Sequence, residues 1–112
     1  MKMILKVITG LVVLVLTSSA QAQMKSADIA AAREAFSANA CNNCHDASIR
    51  IMGPSLKEIA ARYKGKKVSA EVAKRITEGS EGRWGEMAHP ANAALEPADA
   101  TLLARWILSG AP

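Results

Sequence analysis

Past residue 22 this chain has no internal repeat, no low-complexity tract and no linker. It also has no stretch in which apolar and polar residues alternate with the period of a strand. The first three absences leave a single domain, and the last excludes a sheet as its organising element. Cysteine and histidine are scarce, at two each in 112 residues. The long apolar run, Val7 to Leu16, is short for a bilayer span. Lys2 and Lys6 flank its start, and Thr17-Ser18-Ser19 leads from it to Ala20-Gln21-Ala22, a small-residue cleavage site. That is the pattern of a secretory signal peptide cut after Ala22, so no stable membrane insertion is expected once it is removed. Removing residues 1–22 from 112 leaves a 90-residue domain, 23–112. The two lysines leave with it, and the formal charge of +4 falls to +2. A balance so close to neutral gives no support to nucleic-acid binding.

What is present is concentrated in Cys41-Asn42-Asn43-Cys44-His45. Its C-x-x-C-H spacing is the attachment signature of c-type haem. Two thiols one helical turn apart can add to the two haem vinyl groups, and the adjacent His45 is then held under the iron, where a neutral imidazole nitrogen can bind it. A redox-active C-x-x-C followed by an unrelated histidine is the competing reading. In a small exported chain whose only cysteines are these two, the spacing favours covalent haem c, which is attached outside the cytoplasm. A domain of this size has a thin core of its own, and a large apolar cofactor would fill much of it.

The rest of the domain reads as helical. Ile29, Ala32, Phe36 and Ala40 share a stripe at helical spacing that leads into Cys41, with Ser26 as the expected N-cap. Ser55 and Glu58 form a capping box, followed by Leu56, Ile59, Ala60 and Tyr63 as an apolar face and by Lys64-Gly65 as a stop. A third helix is predicted over 69–78, with Val72 and Ile76 inward and Gly79 ending it. The last begins near Pro97, carries Leu102, Leu103, Trp106 and Ile107, and ends at Ser109-Gly110. Residues 79–96 are too polar and glycine-rich for a helix; a loop this long in a small domain usually has a function. It holds the other histidine, His89, together with Met87.

Taken in order, several stretches resemble the small, single-domain bacterial class I cytochromes c. They are Phe36, the Cys41–His45 motif, Gly53-Pro54-Ser55, Arg75-Ile76, the loop Gly79-Ser80-Glu81-Gly82-Arg83-Trp84-Gly85, Pro90-Ala91-Asn92, and Ala104-Arg105-Trp106-Ile107-Leu108. The resemblance covers essentially all of 23–112. It implies an all-α fold of four to five short helices wrapped around one covalently attached haem. By position it implies that the Pro54 carbonyl accepts the N–H of the proximal imidazole. It further implies that Arg75 and Trp84 hydrogen-bond a haem propionate, and that Phe36 meets Trp106 between the first and last helices. Each has a plainer reading: Pro54 as a turn proline, Arg75 as a solvated helix residue, Trp84 as packing.

The family's usual second axial ligand is a methionine followed by proline, and the register here puts His89 at that position. Met87 lies two residues earlier, in Glu86-Met87-Ala88-His89-Pro90-Ala91-Asn92. Three arrangements stay open: His89 on iron, Met87 on iron after a loop shift, or a distal position taken by water or an added ligand. Met52 precedes Gly53-Pro54 on the proximal side and is excluded. Asn92 stands where the family places an asparagine bonded to the methionine sulfur; with His89 as ligand it could orient the ring instead. Arg62, Lys64, Lys66 and Lys67 form a basic cluster, sufficiently explained as cations at a helix C-terminus, with a docking patch for an acidic partner as the sharper alternative.

The function expected is a monomeric periplasmic electron carrier, not an enzyme, docking briefly with redox partner proteins such as periplasmic or membrane-bound reductases and oxidases. A gas-binding or haem-sensing protein with a dissociable His89 is a different class, and a haem subunit of a larger periplasmic oxidoreductase is a third.

Overall fold

The computed structural model describes Val13 and residues 23–112. The expected signal peptide, residues 1–22, otherwise lies outside the described residues. Four α-helices follow in order: α1 Ser26–Ala38, α2 Leu56–Arg62, α3 Ser69–Glu78 and α4 Pro97–Leu108, with a 3-10 turn at Cys41–Asn43 after α1. Among the described residues there is no strand, only an isolated bridge between Ser80 and His89. None of their helices is long and apolar enough to cross a membrane.

The helix ends follow local chemistry. Ser55 Oγ accepts from the Glu58 N–H at 3.1 Å, and Glu58 Oε2 accepts from the Ser55 N–H at 2.8 Å, so the expected capping box starts α2. Gly79 takes φ +82, a conformation open to glycine, and ends α3 as predicted. Two details of α1 differ from expectation. Lys25 is the cap and makes no side-chain bond; Ser26 is already the first helical residue. The stripe also stops before Ala40, which sits in the left-handed region at φ 56. Asn39 explains this: its Nδ2 donates to the Ala35 carbonyl at 2.8 Å, so the chain turns off the helix there.

Helix α4 is the element that the other three pack against. Ala100, Leu103, Ala104, Trp106 and Ile107 are buried on it, meeting Ala32 of α1, Leu56 and Ile59 of α2, and the flank of α3. Phe36 and Trp106 meet edge-on with ring centroids 5.5 Å apart, the contact expected between first and last helices. The Trp106 indole N–H donates to Pro112 O at 3.0 Å, as does Arg33 Nε, which fastens the chain end to α1 and α4. Leu95, in the long loop, is a core residue that helical periodicity did not reveal. It is only 6% exposed, and its burial seals α4 against the loop.

The capping box predicts a pH dependence. The Ser55 backbone N–H holds the Glu58 carboxyl below its ordinary value of 4.5, with Arg50 adding to the effect. A carboxyl depressed in the folded state stabilises the fold above its unfolded pKa, and that contribution is lost as pH falls through the folded value. At pH 7 the haem-loaded wild type should therefore unfold at higher denaturant than Glu58→Gln. The gap should close progressively in titrations run below pH 4.5.

Candidate functional site

The C-x-x-C-H stretch leaves α1 through the left-handed Ala40 and winds one tight turn, in which the Cys44 and His45 N–H groups both donate to the Cys41 carbonyl. Both thiols are half-buried and unpaired. Burial pushes the Cys41 thiol up, partly offset by a backbone hydrogen bond. His45 faces Pro54, whose carbonyl lies 2.6 Å from Nδ1. A carbonyl can only accept, so the proton resides on Nδ1 and the Nε2 lone pair is left for a metal. Two features hold that pairing. Pro54 is buried at the start of the α2 cap, and Gly53 donates its N–H to the Cys44 carbonyl at 2.8 Å. A Cβ at Gly53 would come within 2.8 Å of His45 Cε1, so only glycine lets this backbone pass so close to the ring.

Across the domain His89 stands opposite His45, with ring centroids 6.1 Å apart and planes inclined by 31°. Its Nδ1 lies 2.8 Å from the Pro90 carbonyl, which leaves its Nε2 free as well. Burial lowers the pKa of His89, the Pro90 carbonyl opposes this, and nearby His45 lowers it a little further, which favours the neutral, metal-binding form. The backbone holds this loop in register. Ser80 and His89 exchange hydrogen bonds of 3.1 and 2.8 Å, and the Asn92 N–H donates to Thr77 at 3.0 Å. Gly79 permits that closure, because an added Cβ would meet the His89 carbonyl oxygen at 2.7 Å.

Two cavities of about 140 and 260 Å³ meet at Cys44, His45 and His89. The larger is walled by Phe36, Leu56, Leu103 and Ile107, with Cys41 and Asn92 at its edge. The smaller is lined by Pro54, Tyr63, Arg75, Trp84 and Met87 among others. A broad, flat, apolar group with polar substituents at one edge fits a space shaped this way. A metal ion held in line between two imidazoles would put the ring centroids about 6.2–6.4 Å apart, with metal–nitrogen bonds of ~2.0–2.1 Å and ring radii of about 1.1 Å. The observed 6.1 Å is close to that separation.

The cytochrome c family model matches residues 29–111. The chain belongs to the cytochrome c family. It is 43% identical over 72 residues to cytochrome c-552 of Nitrosomonas europaea, covering 63% of this chain and 70% of that one. It is 39% identical over 75 residues to cytochrome c-551 of Pseudomonas aeruginosa, covering 66% and 71%. The crystal structure of wild-type N. europaea cytochrome c552 superimposes with a TM-score of 0.66 at 37% identity, over 70% of this chain and 98% of that one. A class 1 cytochrome from Sideroxydans lithotrophicus does so at 0.65 and 28% identity, over 76% and 98%. The fold is that of the class I cytochromes c. The chain is an electron-transfer protein with one covalent haem c, and Cys41 and Cys44 fit the attachment motif. When bound, the haem supplies one-electron iron chemistry.

The other expected site residues of this cytochrome c fall as follows. Arg75 and Trp84 line the same cavity. Arg75 Nη1 also donates to the Tyr63 hydroxyl at 3.2 Å, and Tyr63 meets the Trp84 ring edge-on at 6.3 Å. Tyr63 was legible only as part of an apolar helix face, although it is the chain's sole tyrosine and its hydroxyl needs a partner. Asn92 lies at the edge of the larger cavity, and the hydrogen bond its side chain makes is to Asn39. Its Nδ2 donates to Asn39 Oδ1 at 3.4 Å, while the His89 ring sits against the Pro90 carbonyl. Met87 and Met52 are 61% and 57% exposed. All four residues of the basic cluster are exposed, and Arg62 differs in laying its guanidinium 4.2 Å from the Trp84 ring centroid.

Much of the centre of this domain is cavity wall, so folding should depend on the cofactor that fills it. A Cys41→Ala, Cys44→Ala double variant, unable to retain haem covalently, is expected to lose most of the far-ultraviolet circular dichroism of its helices. Full helicity with cooperative melting in the haem-free variant would refute the dependence.

Proposed function

We propose that this cytochrome is a periplasmic one-electron carrier whose haem iron is held between His45 and His89. The observation that carries the reading is the facing pair of imidazoles, 6.1 Å apart, each with Nδ1 committed to a proline carbonyl and Nε2 free. Both His89 and Met87 line the cavity, but the bridge to Ser80 ties His89 into the hairpin base, whereas Met87 is 61% exposed, which supports His89 as the ligand. Imidazole is a stronger σ-donor than a thioether and lacks its preference for reduced iron. The potential should therefore lie below that of a His/Met centre.

With both axial positions occupied, iron has no substrate site, which supports a carrier in preference to an enzyme, a gas-binding protein or a haem sensor. Pro54 and Pro90 fix the tautomers. Cys41 and Cys44 anchor the haem, and Arg75 and Trp84 bind a propionate. Asn92 keeps the distal loop against α1 through Asn39. The signal-peptide pattern of residues 1–22 supports export to the periplasm. Partners are redox proteins that a monomer meets one at a time, and the exposed Lys64, Lys66 and Lys67 would favour an acidic docking face.

The deciding experiment is a visible and near-infrared spectrum of the oxidised protein. The long-wavelength sulfur-to-iron charge-transfer band should be absent. His89→Met should create it and raise the potential, and Met87→Ala should leave the spectrum unchanged. A wild-type band that Met87→Ala abolishes would identify Met87 as the ligand and end the bis-histidine reading. Carbon monoxide should not bind the reduced wild type; binding would favour the gas-binding class.

A further inference from the structure

The loop that carries His89 is a hairpin tied at its base and loose at its tip. Ser80 and His89 close the base with two backbone hydrogen bonds. Among the described residues, no backbone–backbone hydrogen bond involves residues 81–88. Gly82 and Gly85, on either side of Trp84, both have positive φ and open space where a Cβ would stand. Nothing in the tip's own backbone therefore keeps it against the domain.

Arg62, the last residue of α2, supplies the tether. Its Nη1 donates to the Arg83 carbonyl, and its guanidinium lies over the Trp84 ring, with the carbon 4.2 Å from the centroid. A planar cation can make both contacts at once, stacking by its face and donating by its edge. The Tyr63 ring edge supports Trp84 from the next position on the chain, 6.3 Å away.

We propose that Arg62 is a positioning residue for the distal ligand. It pins Arg83 and Trp84 to the end of α2 and so limits how often the hairpin lifts its ligand from the iron. The inference rests on the reading that this hairpin supplies the distal ligand. It does not depend on which of the loop's two donors binds, since Met87 and His89 ride on the same hairpin.

Cyanide can reach the ferric iron of the haem-loaded protein only while the distal position is open, so its binding rate reports lifting. Arg62→Ala is expected to bind cyanide at least about tenfold faster than wild type, equivalent to about 1.4 kcal/mol. Lys64→Ala, which removes a neighbouring charge with no contact to the loop, should bind at the wild-type rate. Amide hydrogen exchange on the same proteins should show the His89 N–H exchanging faster in Arg62→Ala, with the Leu103 and Trp106 amides of α4 unchanged. The proposal is overturned by a rate for Arg62→Ala within about twofold of wild type. Equal acceleration by Lys64→Ala, or equal acceleration of the α4 amides, would also overturn it. So would a wild type that already binds cyanide as fast as His89→Ala and Met87→Ala do. Failure of the ligand assignment is read separately: a sulfur-to-iron band moves the ligand to Met87 and leaves the cyanide comparison as the test of Arg62.

Discussion

The hydrogen bond from the His45 ring to the Pro54 carbonyl, 2.6 Å long, is the constraint on which the rest of the domain turns. It joins the turn that follows α1 to the residue that precedes the α2 cap, nine positions away, and it selects a tautomer. With the proton on Nδ1, the Nε2 lone pair points away from the backbone that holds the ring, and a neutral imidazole becomes a directed donor. The surrounding chain accommodates that bond. Gly53 has no side chain because the ring occupies the space, and Pro54 is buried because its carbonyl must stay in place. Ser55 and Glu58 start a helix immediately afterwards, so the segment cannot drift.

The opposite wall is built differently. His89 lies in a loop, and its ring donates its hydrogen bond to the carbonyl of the very next residue rather than to a distant element. Register there comes from the backbone bridge to Ser80 and from the Asn92–Thr77 bond at the end of α3. One side of the centre is thus carried by a capped helix and the other by a hairpin fastened at its base.

Between the two walls, the fold trades core for cavity. Helix α4 buries its apolar face against α1, α2 and α3, and the same helix lends Leu103 and Ile107 to the wall of the cleft. Residues that would close the centre of a cofactor-free bundle line this cleft instead. This explains how a domain so small manages with so few fully buried side chains.

By itself the sequence determined the helices, the haem motif and the order of the family's stretches, because those are written in local spacing. The Ser55–Glu58 box, Gly79 as a stop and Pro97 as a start act within a few residues, and each appears where its chemistry predicts. The Cys41–His45 spacing names its cofactor without reference to anything else in the chain. What only the tertiary structure decided are the pairings between distant positions. Neither Arg62 over Trp84, Tyr63 to Arg75, nor Asn92 to Asn39 has a sequence period, because each depends on how α2, α3 and the loop are turned toward one another. The local exception at the end of α1, Ala40, has a local cause. At the C-cap both the backbone N–H and the side-chain Nδ2 of Asn39 donate to the Ala35 carbonyl, and the chain turns left-handed at the next residue.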